Sequence, residues 1–180
     1  DVRRGEYEGL RGEIGTNPGR APDFGPRKLG KAGAVAIGAR FPLVAFNVNL
    51  ATSDIAIAKQ IAKALRFSDG GLRYVKALGI ELADRKIVQV SMNMTRYDQT
   101  PLHRAFEMVR REAERYGVNV IESEIIGLVP QQALNDTAEY YLRLARFSRN
   151  QILEARLNDA LDQTHVRETR TDFLDQLAAP

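Results

Sequence analysis

From Leu43 onward the chain alternates. Val44, Phe46, Val48 and Leu50 fall on one side of an extended segment, and Leu43, Ala45, Asn47 and Asn49 fall on the other. The first set is apolar and rich in strand formers, so a strand is predicted with one greasy face and one face ending in amides. The same pattern returns over Ile87–Met94, where Val88, Val90, Met92 and Met94 share a face and Ile87, Gln89, Ser91 and Asn93 share the other. Between these two segments the spacing becomes helical. Ile57, Ile61, Ala64 and Leu65 form a stripe behind the candidate caps Thr52, Ser53 and Asp54, and Ser68-Asp69-Gly70-Gly71 closes the helix. Tyr74–Leu82 reads as a further strand with Gly79 as a candidate bulge, and Ala83-Asp84-Arg85 as a tight turn.

After the third strand, Thr100-Pro101 opens a helix as a hydroxyl cap followed by a proline at the first helical position. Leu102, Ala105, Phe106, Val109, Ala113 and Tyr116 form its buried stripe, and Gly117 ends it. Val118–Val129 holds a fourth strand, terminated by Pro130. Gln131–Phe147 reads as another helix, with Leu134, Ala138, Tyr141, Leu142 and Ala145 on one side, and 151–160 as helical again. The order strand, helix, strand, strand, helix, strand predicts an α+β, ferredoxin-like βαββαβ fold. It is a four-stranded antiparallel sheet with helices on one face, plus extra C-terminal helices. Residues 1–37 are punctuated by glycine and proline and read as an irregular connector, with a short helix near Tyr7–Ile14.

That topology sets the first and third strands side by side. If their apolar faces meet the helices, Asn47, Asn49, Gln89, Ser91 and Asn93 gather into one patch on the opposite face. Amides donate and accept, so the patch suits a heterocycle edge or an amide-bearing ligand. A solvated sheet face is the plainer alternative. RNA binding by this fold needs aromatics on the same two strands, and the sequence places amides and a serine there. A regulatory amino-acid-binding module stays open.

Composition narrows the chemistry. With 180 residues, 44% hydrophobic and 27% charged, the chain is long enough for an ordinary globular core. It has no cysteine, which excludes disulfides and thiolate metal ligands, and its two histidines, His103 and His165, lie far apart, so no metal site is expected. No apolar run approaches the ~18 residues of a membrane helix. A net charge of +3 is compatible with an anionic ligand and too weak to argue nucleic acid. A cytoplasmic protein is expected.

Single residues remain ambiguous on these grounds. Arg40 sits in a Gly-Ala-Arg loop suited to a carboxylate, or is an ordinary surface arginine. His103 is a candidate general base near the polar face, without an Asp, Ser or Cys placed by sequence as its partner. His165 falls in a charged tail and reads as solvated. Glu122 and Glu124 share a face of the fourth strand, where carboxylates serve acid–base work or guard an exposed edge; the edge reading is preferred.

The chain resembles the formiminotransferase domain of glutamate formiminotransferases and formiminotransferase-cyclodeaminases, specifically its carboxy-terminal subdomain. The resemblance rests on Gly5-Glu6-Tyr7-Glu8, Pro22-Asp23-Phe24-Gly25-Pro26, Gly38-Ala39-Arg40, Leu43–Leu50, Gln89-Val90-Ser91-Met92-Asn93, Leu102-His103 and Ile126-Gly127-Leu128-Val129-Pro130, in order over about residues 5–150.

It implies transfer of a formimino group from N-formimino-L-glutamate to tetrahydrofolate in histidine breakdown, with folate held in a cleft between two similar subdomains. The implied folate-binding stretch is Gly38, Ala39, Arg40, Phe41, Pro42, Leu43, Val44, Ala45, Phe46 and Asn47, with Asn49, Gln89, Ser91 and Asn93 as further ligand-face residues. The resemblance places the catalytic histidine in an amino-terminal subdomain that this sequence does not contain. His103 matches a different family position, so the chain alone is expected to be inactive.

The implied organisation is 1–37 as connector from that missing subdomain, 38–150 as the carboxy-terminal subdomain, and 151–180 as a helical, charged linker. Phe173–Pro180 resembles the opening of a cyclodeaminase domain. Expected partners are folate, N-formiminoglutamate, the missing subdomain, a cyclodeaminase domain and a second copy in a homo-oligomer, with neither nucleic acid nor membrane. Asn49→Ala and Gln89→Ala are expected to weaken folate binding with little loss of stability. The alternative is a non-catalytic ligand-binding module of the same fold.

Overall fold

The computed structural model describes residues 4–162. The chain divides between Phe41 and Pro42 into two compact units. In the first, helix α1 spans Glu6–Glu13, and a 3-10 turn follows over Pro18–Arg20. Asn17 caps that turn by accepting from the Gly19 N–H. Arg20 donates to the Arg4 carbonyl at 2.5 Å and pairs with Glu13 at 3.2 Å, tying the turn to both ends of α1.

The second unit is built on four strands: β1 Val44–Leu50, β2 Val75–Leu82, β3 Ile87–Met94 and β4 Val120–Ile126. Their order across the sheet is β2-β3-β1-β4, all neighbours antiparallel, so the first and third strands occupy the centre as expected. Helices α2 (Ile55–Leu65) and α3 (Leu102–Glu114) bury Ala58, Ile61, Ala62 and Leu65, and Leu102, Ala105, Val109 and Ala113. These pack in one core with Val44, Phe46, Val48, Leu50, Val88, Val90, Met92 and Met94. The architecture is the α+β, ferredoxin-like arrangement, and the apolar face of each central strand is the one beneath the helices.

Local chemistry explains most boundaries. Asp54 Oδ1 accepts from the Ala56 N–H at 2.8 Å and starts α2. Gly70, at φ 90°, ends the turn after it. Gly79 is not a bulge: the β2–β3 register runs unbroken through Gly79↔Val90. A Cβ there would lie 2.5 Å from the Lys59 nitrogen and 2.7 Å from the Ala58 carbonyl carbon. Glycine therefore lets α2 lie directly on β2. The irregularity is instead in β4, where its register to β1 shifts between Asn49 and Leu50.

Two other helix expectations need correction. Thr100 does not cap α3: its hydroxyl donates to the Arg73 carbonyl at 2.5 Å, and Pro101 precedes the first helical residue. The helix over Gln131–Phe147 is α4, Gln131–Leu142, and it stops early because Arg143 turns to φ 53°. Its inward residue is Ala133; Leu134, Tyr141 and Leu142 are exposed. Residues 153–162 are helical, close to the expected segment. His165 and Phe173–Pro180 lie outside the described residues.

Candidate functional site

The face of the sheet away from α2 and α3 carries the predicted amides in rows set by strand register. Gln89 (β3), Asn49 (β1) and Glu122 (β4) make one row; Ser91, Asn47 and Glu124 make the next; Asn93, Ala45 and Ile126 the third. All five predicted residues thus share one face. Their exposure differs sharply. Asn49 is 1% exposed, Gln89 5% and Asn47 8%, whereas Ser91 is half-buried and Asn93 exposed.

Buried amides need partners, and here β4 supplies them. Asn49 Nδ2 donates to Glu122 Oε1 at 2.9 Å, and Asn47 Nδ2 to Glu124 Oε1 at 3.1 Å. Gln89 Nε2 donates to both Asn49 Oδ1 (2.9 Å) and Glu124 Oε1 (2.7 Å). Arg85, in the turn between β2 and β3, reaches across to Glu122 Oε1 at 2.5 Å. The Asn49 bond, and then Arg85, hold the Glu122 carboxyl below the usual carboxylate range. The edge strand's glutamates are therefore members of the polar network as well as charges on an edge. Their i, i+2 spacing was the available sign; the register that sets each opposite an amide was not readable from sequence.

Beside the glutamates, the edges of this face carry exposed apolar side chains. Leu78 and Ile80 of β2 share this face with Gln89 and Ser91, and Leu78 is 63% exposed; Ile126 of β4 is 54% exposed. The arrangement is a polar network reaching the β4 edge, with Leu78 and Ile80 beside it on β2, which suits a flat ring carrying hydrogen-bonding groups.

The predicted folate-binding stretch divides by side chain. Gly38, Ala39, Arg40 and Phe41 belong to the first unit and are exposed. Pro42 is exposed, and Leu43 and Ala45 are half-buried. Val44 and Phe46 point into the core beneath the helices, so only their backbone is offered to the amide face. Asn47 is the member of the stretch whose side chain stands on that face within the network.

His103 is not near the polar face, contrary to expectation. It sits at the start of α3, on the helix side of the sheet, with its ring stacked on Tyr140 at 4.1 Å between centroids and 7° between planes. The second position of α3 turns it toward α4. Its Nδ1 is buried without a hydrogen-bond partner, and burial pushes its pKa down, against the pull of Asp136. It lines a cavity of about 360 Å³ with Phe46, Phe106, Leu134 and Tyr141. Tyr141 donates to Glu107 at 2.9 Å; burial first, and then Glu107, raise its pKa to about 12. A second cavity, of about 680 Å³, lies within the first unit among Tyr7, Ile14, Arg20, Pro22, Phe24 and Ile37.

Comparison with known proteins gives a consistent picture. Residues 45–161 match the family described as "Formiminotransferase domain". A protein of Thermoplasma acidophilum named glutamate formimidoyltransferase is 54% identical over 155 residues, covering 86% of this chain and 51% of the relative. One of the same name from Streptococcus pyogenes serotype M1 is 53% identical, covering 87% of this chain and 52% of the relative. The formimidoyltransferase-cyclodeaminase of Gallus gallus is 36% identical over 188 residues, covering 97% of this chain and 35% of the relative. The chain spans about half the length of the first two relatives and about a third of the third.

Proposed function

The chain belongs to the formiminotransferase family, and from that membership we propose that it is the folate-binding half of a glutamate formimidoyltransferase. The whole protein would move the formimino group of N-formimino-L-glutamate to tetrahydrofolate, releasing glutamate, as a step of histidine breakdown in the cytoplasm. The observation that carries the reading is the buried amide–carboxylate network centred on β1 and β3.

In this reading the stretch from Gly38 to Asn47 holds folate, with Asn49, Gln89, Ser91 and Asn93 completing the ligand face. Leu78, Ile80 and Ile126 would pack on a pterin or on the facing half of the cleft. Arg40 would meet a glutamate or folate carboxylate. Residues 1–37 connect to the other half, 38–150 form this one, and 151–180 lead toward a cyclodeaminase domain where one is fused. The working protein would be a homo-oligomer.

Formimino transfer needs a group that takes and returns a proton at the reacting nitrogens. His103 is unsuited, since it faces α4 on the far side of the sheet. Glu122 and Glu124 are engaged with amides. The resemblance places the catalytic histidine in the amino-terminal subdomain, and on that ground catalysis is assigned to residues outside this chain.

Titrating tetrahydrofolate into the isolated chain tests the reading. Saturable binding, with no turnover of N-formiminoglutamate, is expected. A chain that ignores tetrahydrofolate and binds a free amino acid would overturn the folate assignment in favour of a sensing module, and turnover by the isolated chain would overturn the division of labour.

A further inference from the structure

The amide network has a direction. A carboxylate only accepts hydrogen bonds, so each amide that meets Glu122 or Glu124 must do so with its nitrogen. Gln89 spends both N–H groups, one on Glu124 Oε1 and one on Asn49 Oδ1. Asn47 spends one on the same Glu124 oxygen. Among the described residues, nothing donates to Asn47 Oδ1, Gln89 Oε1 or Glu124 Oε2. No side-chain atom of Asn47 or Gln89 is a buried atom without a partner, and Glu124 is an exposed residue. Both Gln89 donors and one of Asn47's are turned inward along the sheet, and three acceptor oxygens are left over. Glu122 has Arg85 to offset its charge, whereas among the described residues no hydrogen-bond donor other than the two amides reaches Glu124.

We infer that Glu124 orients Asn47 and Gln89 into an acceptor face that reads N–H donors on an N–C–N group of the ligand. This rests on the folate-binding reading above. Two sources carry that chemistry: the 2-amino pyrimidinone edge of the pterin and the amidine of the formimino group. Carboxylates of either substrate are repelled from this patch and belong elsewhere. Glu124 acts both through the amides it holds and through its own free oxygen. Glu124→Gln keeps the shape, removes the charge, and gives each neighbouring amide a partner that can also donate, so the orientation is no longer enforced.

The test uses the natural full-length protein and titration calorimetry with four ligands: tetrahydrofolate, its tail fragment p-aminobenzoylglutamate, N-formiminoglutamate and glutamate. For Glu124→Gln, affinity for at least one N–C–N ligand is expected to fall about tenfold or more, with the tail fragment and glutamate held within about twofold. Loss confined to tetrahydrofolate assigns the pterin edge; loss confined to N-formiminoglutamate assigns the formimino group. Equal losses for a ligand and its fragment would reduce Glu124 to a structural role and overturn the inference, as would four unchanged affinities. If the parent protein binds no folate at all, the folate reading falls first and the inference with it.

Discussion

Val48 and Asn49 are adjacent on β1 and equally hidden from water, yet different physics holds them. Val48 faces α2 and α3 among aliphatic side chains, where its burial is favourable and indifferent to direction. Asn49 faces the other way, where its burial is tolerable only because Glu122 and Gln89 meet its polar atoms. One side of the sheet is stabilised by area and close packing. The other is stabilised by geometry, and it leaves acceptor atoms unspent. Low exposure therefore does not mark a residue of this sheet as mere core.

The largest effect expected is on the helix side. Leu50 is fully buried in the core cluster, so Leu50→Ala should cost about 2–5 kcal/mol of unfolding free energy, read as a lowered urea midpoint at constant slope. Tetrahydrofolate affinity of the folded fraction should not move. An affinity loss larger than the unfolded fraction explains would mean that the two faces are coupled.

A smaller stability loss is expected from Asn49→Ala, joined to weaker ligand binding. The truncation leaves a Gln89 N–H short of an acceptor and takes a donor from Glu122, worth about 1–3 kcal/mol. This revises the sequence expectation that the amides can be removed with little cost to stability. That expectation treated them as ligand-facing only, and the network makes them structural too. Unchanged stability would show that water replaces the lost bonds.

Periodicity carried much of the fold. Alternation over Val44–Leu50 and Ile87–Met94 placed the amides on one face, because a period of two leaves no other choice once the core side is known. It did not reveal that Asn49 and Gln89 are buried, since that depends on which residues of β4 lie opposite and on Arg85 reaching over from a turn. Gly79 misled for a related reason: a glycine required by a helix lying on a strand looks the same in sequence as one required by a bulge. His103 was misplaced because a position near a helix start fixes its angle but not which neighbour, here Tyr140, it turns to meet. Leu134 and Tyr141 read as buried from their spacing, whereas α4 packs through the small Ala133.

The faintest difference between the two faces is in their titration. His103 and Glu122 both have lowered pKa values, for opposite reasons. Burial disfavours the charged imidazolium of His103, and Asp136 and Glu107 only partly oppose it. Hydrogen bonds from Asn49 and Arg85 favour the charged carboxylate of Glu122. In each case the unfolded chain binds more protons over the shifted window, so stability rises with pH there. The His103 contribution is complete above its ordinary value of 6.5 and is lost as pH falls through the folded value. That of Glu122 is complete above 4.5 and fades below it. Urea midpoints measured against pH should therefore flatten just below 6.5 in His103→Gln and below 4.5 in Glu122→Gln. High salt should shrink the Glu122 effect, because part of it comes from the exposed Arg85 ion pair, and should leave the His103 effect nearly intact. An imidazole titrating by NMR at or above 6.5 would mean that the acidic neighbours outweigh burial, and that the helix side holds a charge after all.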